Sequence, residues 1–299
     1  MLNWDNQIRS FKTYLQLEKS LSNNTVEAYL RDINGLKVFV SDKKNNTPDK
    51  LELKDLLKYI EDINLLGISA RSQARIISGI KAFYKYLILE DLITNDPTDL
   101  LESPKIPEKL PVVLAIEEID ELISAIDLST NEGHRNKAIL ETLYSCGLRV
   151  SELVGLKLSD CHFKDNYIIV TGKGDKQRIV PIGEKAINDI NYYIQGYRNH
   201  MKIDADYENI LFLNRRGKQL TRVMIFTIIK RLAEKIELKK NISPHTFRHS
   251  FATHLLDGGA DLRAIQEMLG HESIVTTEIY THLDKEYLRD TIINFHPRS

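Results

Sequence analysis

Apolar positions in the first hundred residues recur at helical spacing. Phe11, Tyr14, Leu15 and Leu17 begin one stripe. Ser22 precedes Thr25-Val26-Glu27, a helix-start signal. Tyr29, Ile33, Leu36 and Val40 then fall on one face, which predicts a helix to about residue 40. KKNNTPDK is a polar loop, and further helices are predicted over 51–65 and 69–89. The last of these carries Arg71, Arg75, Lys81 and Lys85 beside Ile76, Ile77, Ile80, Phe83, Tyr84 and Leu87. One of its faces is basic and the other apolar, which suits either a phosphate backbone or plain solvent.

SPKIPEKLP follows, with Pro104, Pro107 and Pro111 close together. Proline at that density excludes a helix and gives a semi-extended linker. It divides the chain into 1–102, a linker at 103–111, and 112–299. The second part opens with helices predicted at 115–126 and 134–145. Cys146-Gly147-Leu148-Arg149 then leads at once into Val150-Ser151-Glu152-Leu153. Gly147 is a helix-stop signal, so Arg149 stands in a tight corner between two helices. The clearest β signal is Tyr167-Ile168-Ile169-Val170 and Arg178-Ile179-Val180 flanking TGKGDKQ, a glycine-rich hairpin tip that carries Lys173. Residues 210–213 read as a further strand. A basic helix at 221–236 follows, and 284–295 is a last helix with Leu283, Tyr287, Leu288, Ile292 and Ile293 as its apolar stripe. No intrachain surface for that stripe is evident from the sequence. The fold class is mainly α with a small antiparallel sheet.

The stretch from 243 to 280 concentrates the chemistry. Ser243 and Pro244 start a helix that Gly258 and Gly259 end. Asp261 caps a second helix that Gly270 ends, and Ser273 caps a third with Tyr280 near its end. His245 and Arg248, three apart, share a helix face, and His271 follows Gly270 in a turn. A Tyr hydroxyl beside a base can attack phosphorus, and Arg matches the non-bridging oxygens of a phosphate. Phosphoryl transfer needs chiefly positioning and charge neutralisation, so Arg, His and Tyr suffice without a metal. Each of these residues taken alone also fits a packing role, and His249 and His254 keep that reading.

Composition adds exclusions. The 299 residues suit about two domains. No run of about 18 apolar residues offers a membrane span, and MLNWDNQIRSF lacks the apolar centre of a signal peptide. Cys146 and Cys161 form neither a metal motif nor a disulfide framework, which fits the cytoplasm. A net charge of −1 gives no argument for nucleic acid, but 213–240 holds nine basic residues, Arg215, Arg222 and Arg231 among them, against two acidic ones. GKG is not followed by the pattern of a nucleotide-binding loop, and no HExxH run suggests a metal hydrolase.

GLRVSEL at Arg149, GKGDKQR at Lys173, HTFRH at His245 to His249, LGH at His271 and IYTH at Tyr280 together resemble the motifs of tyrosine recombinases, in detail those of the bacterial Xer group. The resemblance spans nearly the whole chain. Phe247 stands where Leu is commoner, at no catalytic position. The resemblance implies an N-terminal helical, SAM-like core-binding domain and an α+β catalytic domain ending in an exchange helix. It implies that Tyr280 forms a 3′-phosphotyrosyl link, that Arg149 and Arg248 hold the non-bridging oxygens, that Lys173 protonates the leaving oxygen, and that His245 and His271 assist. Candidate DNA contacts are Arg71, Arg75, Lys81, Arg215, Arg222 and Arg231. No cofactor or metal is implied. Implied partners are double-stranded DNA, a recombinase tetramer of one chain or with a XerC-like paralogue, and a DNA translocase of the FtsK type. The implied role is resolution of chromosome dimers at a dif-like site, with a mobile-element integrase as the alternative.

Overall fold

The computed structural model describes residues 2–41, 46–106, 111–270 and 282–298, without the side chains of 173 and 282–286. The chain divides into two compact units, 1–109 and 110–299. Among the described residues no helix is long and apolar enough to cross a membrane.

The first unit is helical. Helix α1 is Trp4–Leu17, α2 Asn23–Val40, α3 Leu53–Leu65 and α4 Ala70–Leu89. Side-chain oxygens of Asn3, Ser22 and Ser69 accept backbone N–H bonds at the starts of α1, α2 and α4, which satisfies donors the helices leave open. The predicted inward residues Ile33, Leu36 and Val40 are fully buried, with Phe11, Leu56, Ile77, Ile80, Phe83 and Leu87. Leu17 is exposed, because α1 ends there and its side chain lies off the stripe. Trp4 stacks on Phe83 with ring centroids 5.7 Å apart. Where α2 and α4 meet, a Cβ on Gly79 would stand 3.2 Å from Asp32 Oδ2, and the buried Asp32 carboxylate is paired with Arg75.

The second unit is built round α6, Asn131–Cys146. Its residues from Ala138 to Cys146 are all buried, whatever face they occupy, as expected of a helix enclosed on all sides. Thr130 caps it, and the helix begins at Asn131, three residues before the predicted start. Helix α5 is Ile116–Ser124 and α7 is Val150–Val154. Strands β1 (Cys161–His162), β2 (Tyr167–Thr171) and β3 (Gln177–Pro181) form an antiparallel sheet in that order, with Ile169 opposite Ile179 and Thr171 opposite Gln177. Helices α8 (Glu184–Gly196), α9 (Arg222–Lys235), α10 (Pro244–Gly258), α11 (Leu262–Leu269) and α12 (His282–Phe295) complete it.

Three sequence expectations change. Residues 210–213 add no strand to the sheet. Ile210 and Leu213 make isolated bridges to Lys157 and Gln219, and the buried Arg198 guanidinium takes the carbonyls of Ile210 and Leu211 at 3.1 Å. Helix α8 stands where the sequence reading placed no element. The stripe of α12 does have an intrachain surface: Leu288 and Ile292 are buried in the core of this unit, against the region of α10 and α11. Tyr287 and Ile293, from the same stripe, face solvent.

Candidate active site

Helix α6 ends at Gly147 with a φ of +57°, and a Cβ there would meet the Phe251 ring at 2.4 Å. Only glycine combines that backbone with that contact. The turn delivers Arg149 to the N-cap of α7, where the Glu152 carboxylate accepts the Arg149 backbone N–H at 2.8 Å. The predicted corner is therefore real, and it sets the direction of Arg149. Its Nη1 donates to Glu152 Oε1 at 2.8 Å and its Nη2 to the Gly270 carbonyl at 3.1 Å.

Arg248 approaches from α10. Its guanidinium donates to the carbonyl of Gly147 at 2.7 Å and to that of Leu269, and its Nη1 lies 3.9 Å from Glu152 Oε2. The N-terminal turn of α10 is set by Ser243, whose N–H donates to Thr246 Oγ1 at 3.0 Å. His245 projects from that turn and is exposed. His245, Arg248 and His249 line an open depression with Val112, Ala252 and Leu269. Helix α11 starts on the Asp261 side chain and stops at Gly270, with a φ of +63°.

A third arginine joins from the sheet. Arg178, on β3, donates to both Glu152 oxygens at 2.9 Å and from Nε to the Met268 carbonyl at 2.7 Å. Neither Glu152 nor Arg178 was singled out by the sequence reading. The one available signal for Glu152 was its place three residues after an N-cap, the acidic half of a capping box. Burial alone would raise the Glu152 carboxyl. The hydrogen bonds and charge of Arg178, then the bonds from Arg149, outweigh it and hold the group below the usual range. Arg248 is lowered to about 10, first by burial and then by repulsion from Arg149. Three guanidiniums share one carboxylate, so the cluster keeps an excess of positive charge beside an open depression. That arrangement suits a bound phosphodiester.

Lys173 stands in the hairpin turn between Gly172 and Gly174. Its side chain, and His271 and Tyr280 altogether, lie outside the described residues. Among the described residues no three His, Cys, Asp or Glu side chains gather as a metal would require.

Residues 113–287 match the phage integrase family, and 8–91 match the N-terminal SAM-like domain of phage integrases. The chain belongs to the phage integrase family of tyrosine recombinases. It is 40% identical to the tyrosine recombinase XerD of Staphylococcus haemolyticus over 292 residues, covering 98% of this chain and 99% of that one. It is 42% identical to XerD of Listeria innocua over 293 residues, again 98% and 99%. Among solved structures it is similar to the Tn1549 transposon integrase in complex with circular intermediate DNA, at 25% identity and a TM-score of 0.70, covering 94% and 97%. The recombinase is thus a site-specific DNA recombinase of the XerD type, mainly α, with a SAM-like N-terminal domain and a small antiparallel sheet.

The candidate DNA contacts divide. Arg215, Arg222 and Arg231 are exposed in the second unit, and Arg71 is exposed on α4 of the first. Lys81, also on α4, is half-buried. Arg75 is engaged by the buried Asp32 and by the Ala28 carbonyl, so it holds α2 and α4 together. Within the basic segment, Lys218 pairs with Asp204 at 3.2 Å and Lys240 with Glu118 at 2.6 Å.

Proposed function

We propose that this recombinase resolves chromosome dimers at a dif-like site during cell division, in the cytoplasm, as a tetramer formed with a XerC-like paralogue. The near-complete coverage of XerD chains at about 40% identity supports this over a mobile-element role, since the transposon integrase shares only 25%. A DNA translocase of the FtsK type is the proposed activator.

In this reading double-stranded DNA is held by the first unit through the α4 face with Arg71 and Lys81, and by the second unit through Arg215, Arg222 and Arg231. The linker at 103–111 joins a core-binding domain, 1–102, to a catalytic domain, 112–299. Arg149 and Arg248 take the non-bridging oxygens of the scissile phosphate. Tyr280 Oη attacks phosphorus as its proton passes to a base, with His245 and His271 the candidates. The bond from phosphorus to the 5′ oxygen breaks, and Lys173 protonates that oxygen as it leaves. The product is a 3′-phosphotyrosyl link and a free 5′-hydroxyl. Helix α12, one face buried and the other exposed, is the candidate element for exchange between neighbours.

The observation that carries the reading is the excess of guanidinium charge around Glu152 beside His245. The test is incubation with a nicked duplex carrying the chromosomal dimer-resolution site, then a denaturing gel. A covalent protein–DNA adduct is expected from the wild-type chain and none from Tyr280→Phe. An adduct persisting in Tyr280→Phe would move the nucleophile elsewhere.

A further inference from the structure

Glu152 has four acceptor directions on its two oxygens, and all four are used. Oε1 takes Arg149 Nη1 at 2.8 Å and Arg178 Nη1 at 2.9 Å, and Oε2 takes the Arg149 backbone at 2.8 Å and Arg178 Nη2 at 2.9 Å. The two arginine side chains differ in access. That of Arg149 is 35% exposed and that of Arg178 only 7%. Arg178 is enclosed, so its charge is committed to Glu152 rather than offered to a ligand.

The enclosure is made by the segments on which other proposed site residues stand. A Cβ on Gly270, the residue before His271, would lie 3.1 Å from Arg178 Cδ and 3.2 Å from its Nε. A Cβ on Gly172, the residue before Lys173, would lie 3.6 Å from Arg178 Nη1 and 3.7 Å from Glu152 Oε1. With Nε bonded to Met268, the guanidinium links the end of α11 to Glu152 at the α7 corner, with Gly172 of the hairpin turn close by.

We propose that Arg178 is a positioning residue for strand cleavage: its fork occupies Glu152 on two sides, which fixes Arg149 and keeps the carboxylate from swinging onto the guanidiniums that must face the phosphate. Without it, Glu152 is free to pair more fully with Arg149 or to close its 3.9 Å gap to Arg248, and either move removes positive charge from the site. A lysine retains the charge and loses the fork, so it cannot hold both oxygens. The inference rests on Arg149 as a phosphate ligand, as proposed above.

The test uses the full chain and the nicked duplex. Arg178→Lys should lower the single-turnover cleavage rate at saturating protein by at least about 30-fold, given that displacements near 1 Å cost up to about 100-fold. DNA affinity by gel shift should stay within about 3-fold. Added to Arg149→Lys, the same change should cost less than about 3-fold more, since the guanidinium that Arg178 holds in place through Glu152 is already gone. Near wild-type cleavage by Arg178→Lys, losses that multiply in the double variant, or a rate loss that follows weakened affinity would each overturn the proposal. Should Arg178→Lys fail to fold, Glu152→Gln takes its place. It removes one anionic oxygen at constant size, and the same rate loss and non-additivity with Arg149→Lys are expected, whereas a wild-type rate sinks the idea. A wild-type chain that forms no adduct would instead overturn the functional assignment, and the positioning role with it.

Discussion

Two groups of charge in the second unit surround equally buried glutamates and come out differently. Around Glu152, Arg149, Arg178 and Arg248 outnumber the single carboxylate. Around Glu141, the acids Asp120, Glu141 and Asp189 meet Arg298, Lys185 and Lys137, three against three. Lys185 lies 3.2 Å and Arg298 3.3 Å from Glu141, and Lys137 lies 2.9 Å from Asp189. Glu152 receives four hydrogen bonds, and its carboxyl is held below the ordinary range. Burial pushes Glu141 up, and the cations beside it only partly offset that. The balanced group fastens the C-terminal residues to α5 and α6, and its charges answer one another. The unbalanced group is complete only when an anion arrives. Excess charge, rather than buried charge, is what marks the site.

The largest expected effects separate the two groups by what they damage. Arg149→Ala and Arg248→Ala should each slow single-turnover cleavage by at least about 100-fold, the usual loss on removing one charge-stabilising donor. Arg298→Ala should leave the cleavage rate per folded molecule within a few-fold of wild type. It should lower unfolding free energy by on the order of 3 kcal/mol, because the enclosed Glu141 loses a cation. Urea melts and single-turnover rates on the same preparations check both. Cleavage lost in Arg298→Ala at intact stability would erase the distinction.

The C-terminal segment sharpens it next. Leu288 and Ile292 are buried, and each stabilises by about 1.5 to 3 kcal/mol. A chain ending at His282 should therefore melt well below wild type, as well as lose cooperative assembly on DNA. An unchanged melting temperature would mean that the helix does not stay on its own unit in solution.

The contrast between these groups also marks how far the sequence could be read. Serine, aspartate and glycine signals located α2, α4, α10 and α11 to within two residues, since caps act locally. Helix α8 escaped because Asp189, buried against Lys137, and Tyr192, exposed, blur its apolar stripe. Strand β1, two residues long, carries no period at all. The corner that places Arg149, and the helix face shared by His245 and Arg248, were legible from residue type and spacing. Glu152 and Arg178 were not, because their importance lies in pairing across 26 positions of sequence, and a buried arginine on a strand reads like a solvent-facing one.

Acid and base should act on the two groups with opposite sign. Glu152 is depressed in the fold, so its contribution is present above the ordinary glutamate range and is lost as pH falls through the lower folded value. Glu141 is raised, so stability declines as pH climbs from the ordinary value through the folded one. His296 is lowered to about 3, chiefly by burial and then by His254 and Arg298. It stays neutral while the unfolded chain takes up a proton near 6.5, so stability falls as pH drops from about 6.5 towards 3. His296→Asn should flatten that acid limb, and Glu141→Gln the decline at higher pH. Urea melts at several pH values read both slopes. An acid limb unchanged in His296→Asn would place its origin in other groups.

The smallest effect concerns charge that is neither balanced nor enclosed. Arg222 and Arg231 are exposed on α9, whereas Lys218 and Lys240 in the same basic segment are already paired with acids. If these arginines, without a partner among the described residues, meet DNA phosphates, each displaces condensed counterions, and the dependence of log affinity on log salt steepens by about 0.9 per contact. Arg222→Ala with Arg231→Ala should then reduce the magnitude of that slope by about 2, weaken binding most at low salt, and leave stability unchanged. The cleavage rate at saturating protein should hold, because neither residue touches the Glu152 group. Paired lysines provide the internal control: Lys218→Ala should move the slope less than either arginine change. A slope that stays constant in the double variant would return this face of α9 to solvent and leave DNA contact by the second unit to the site itself.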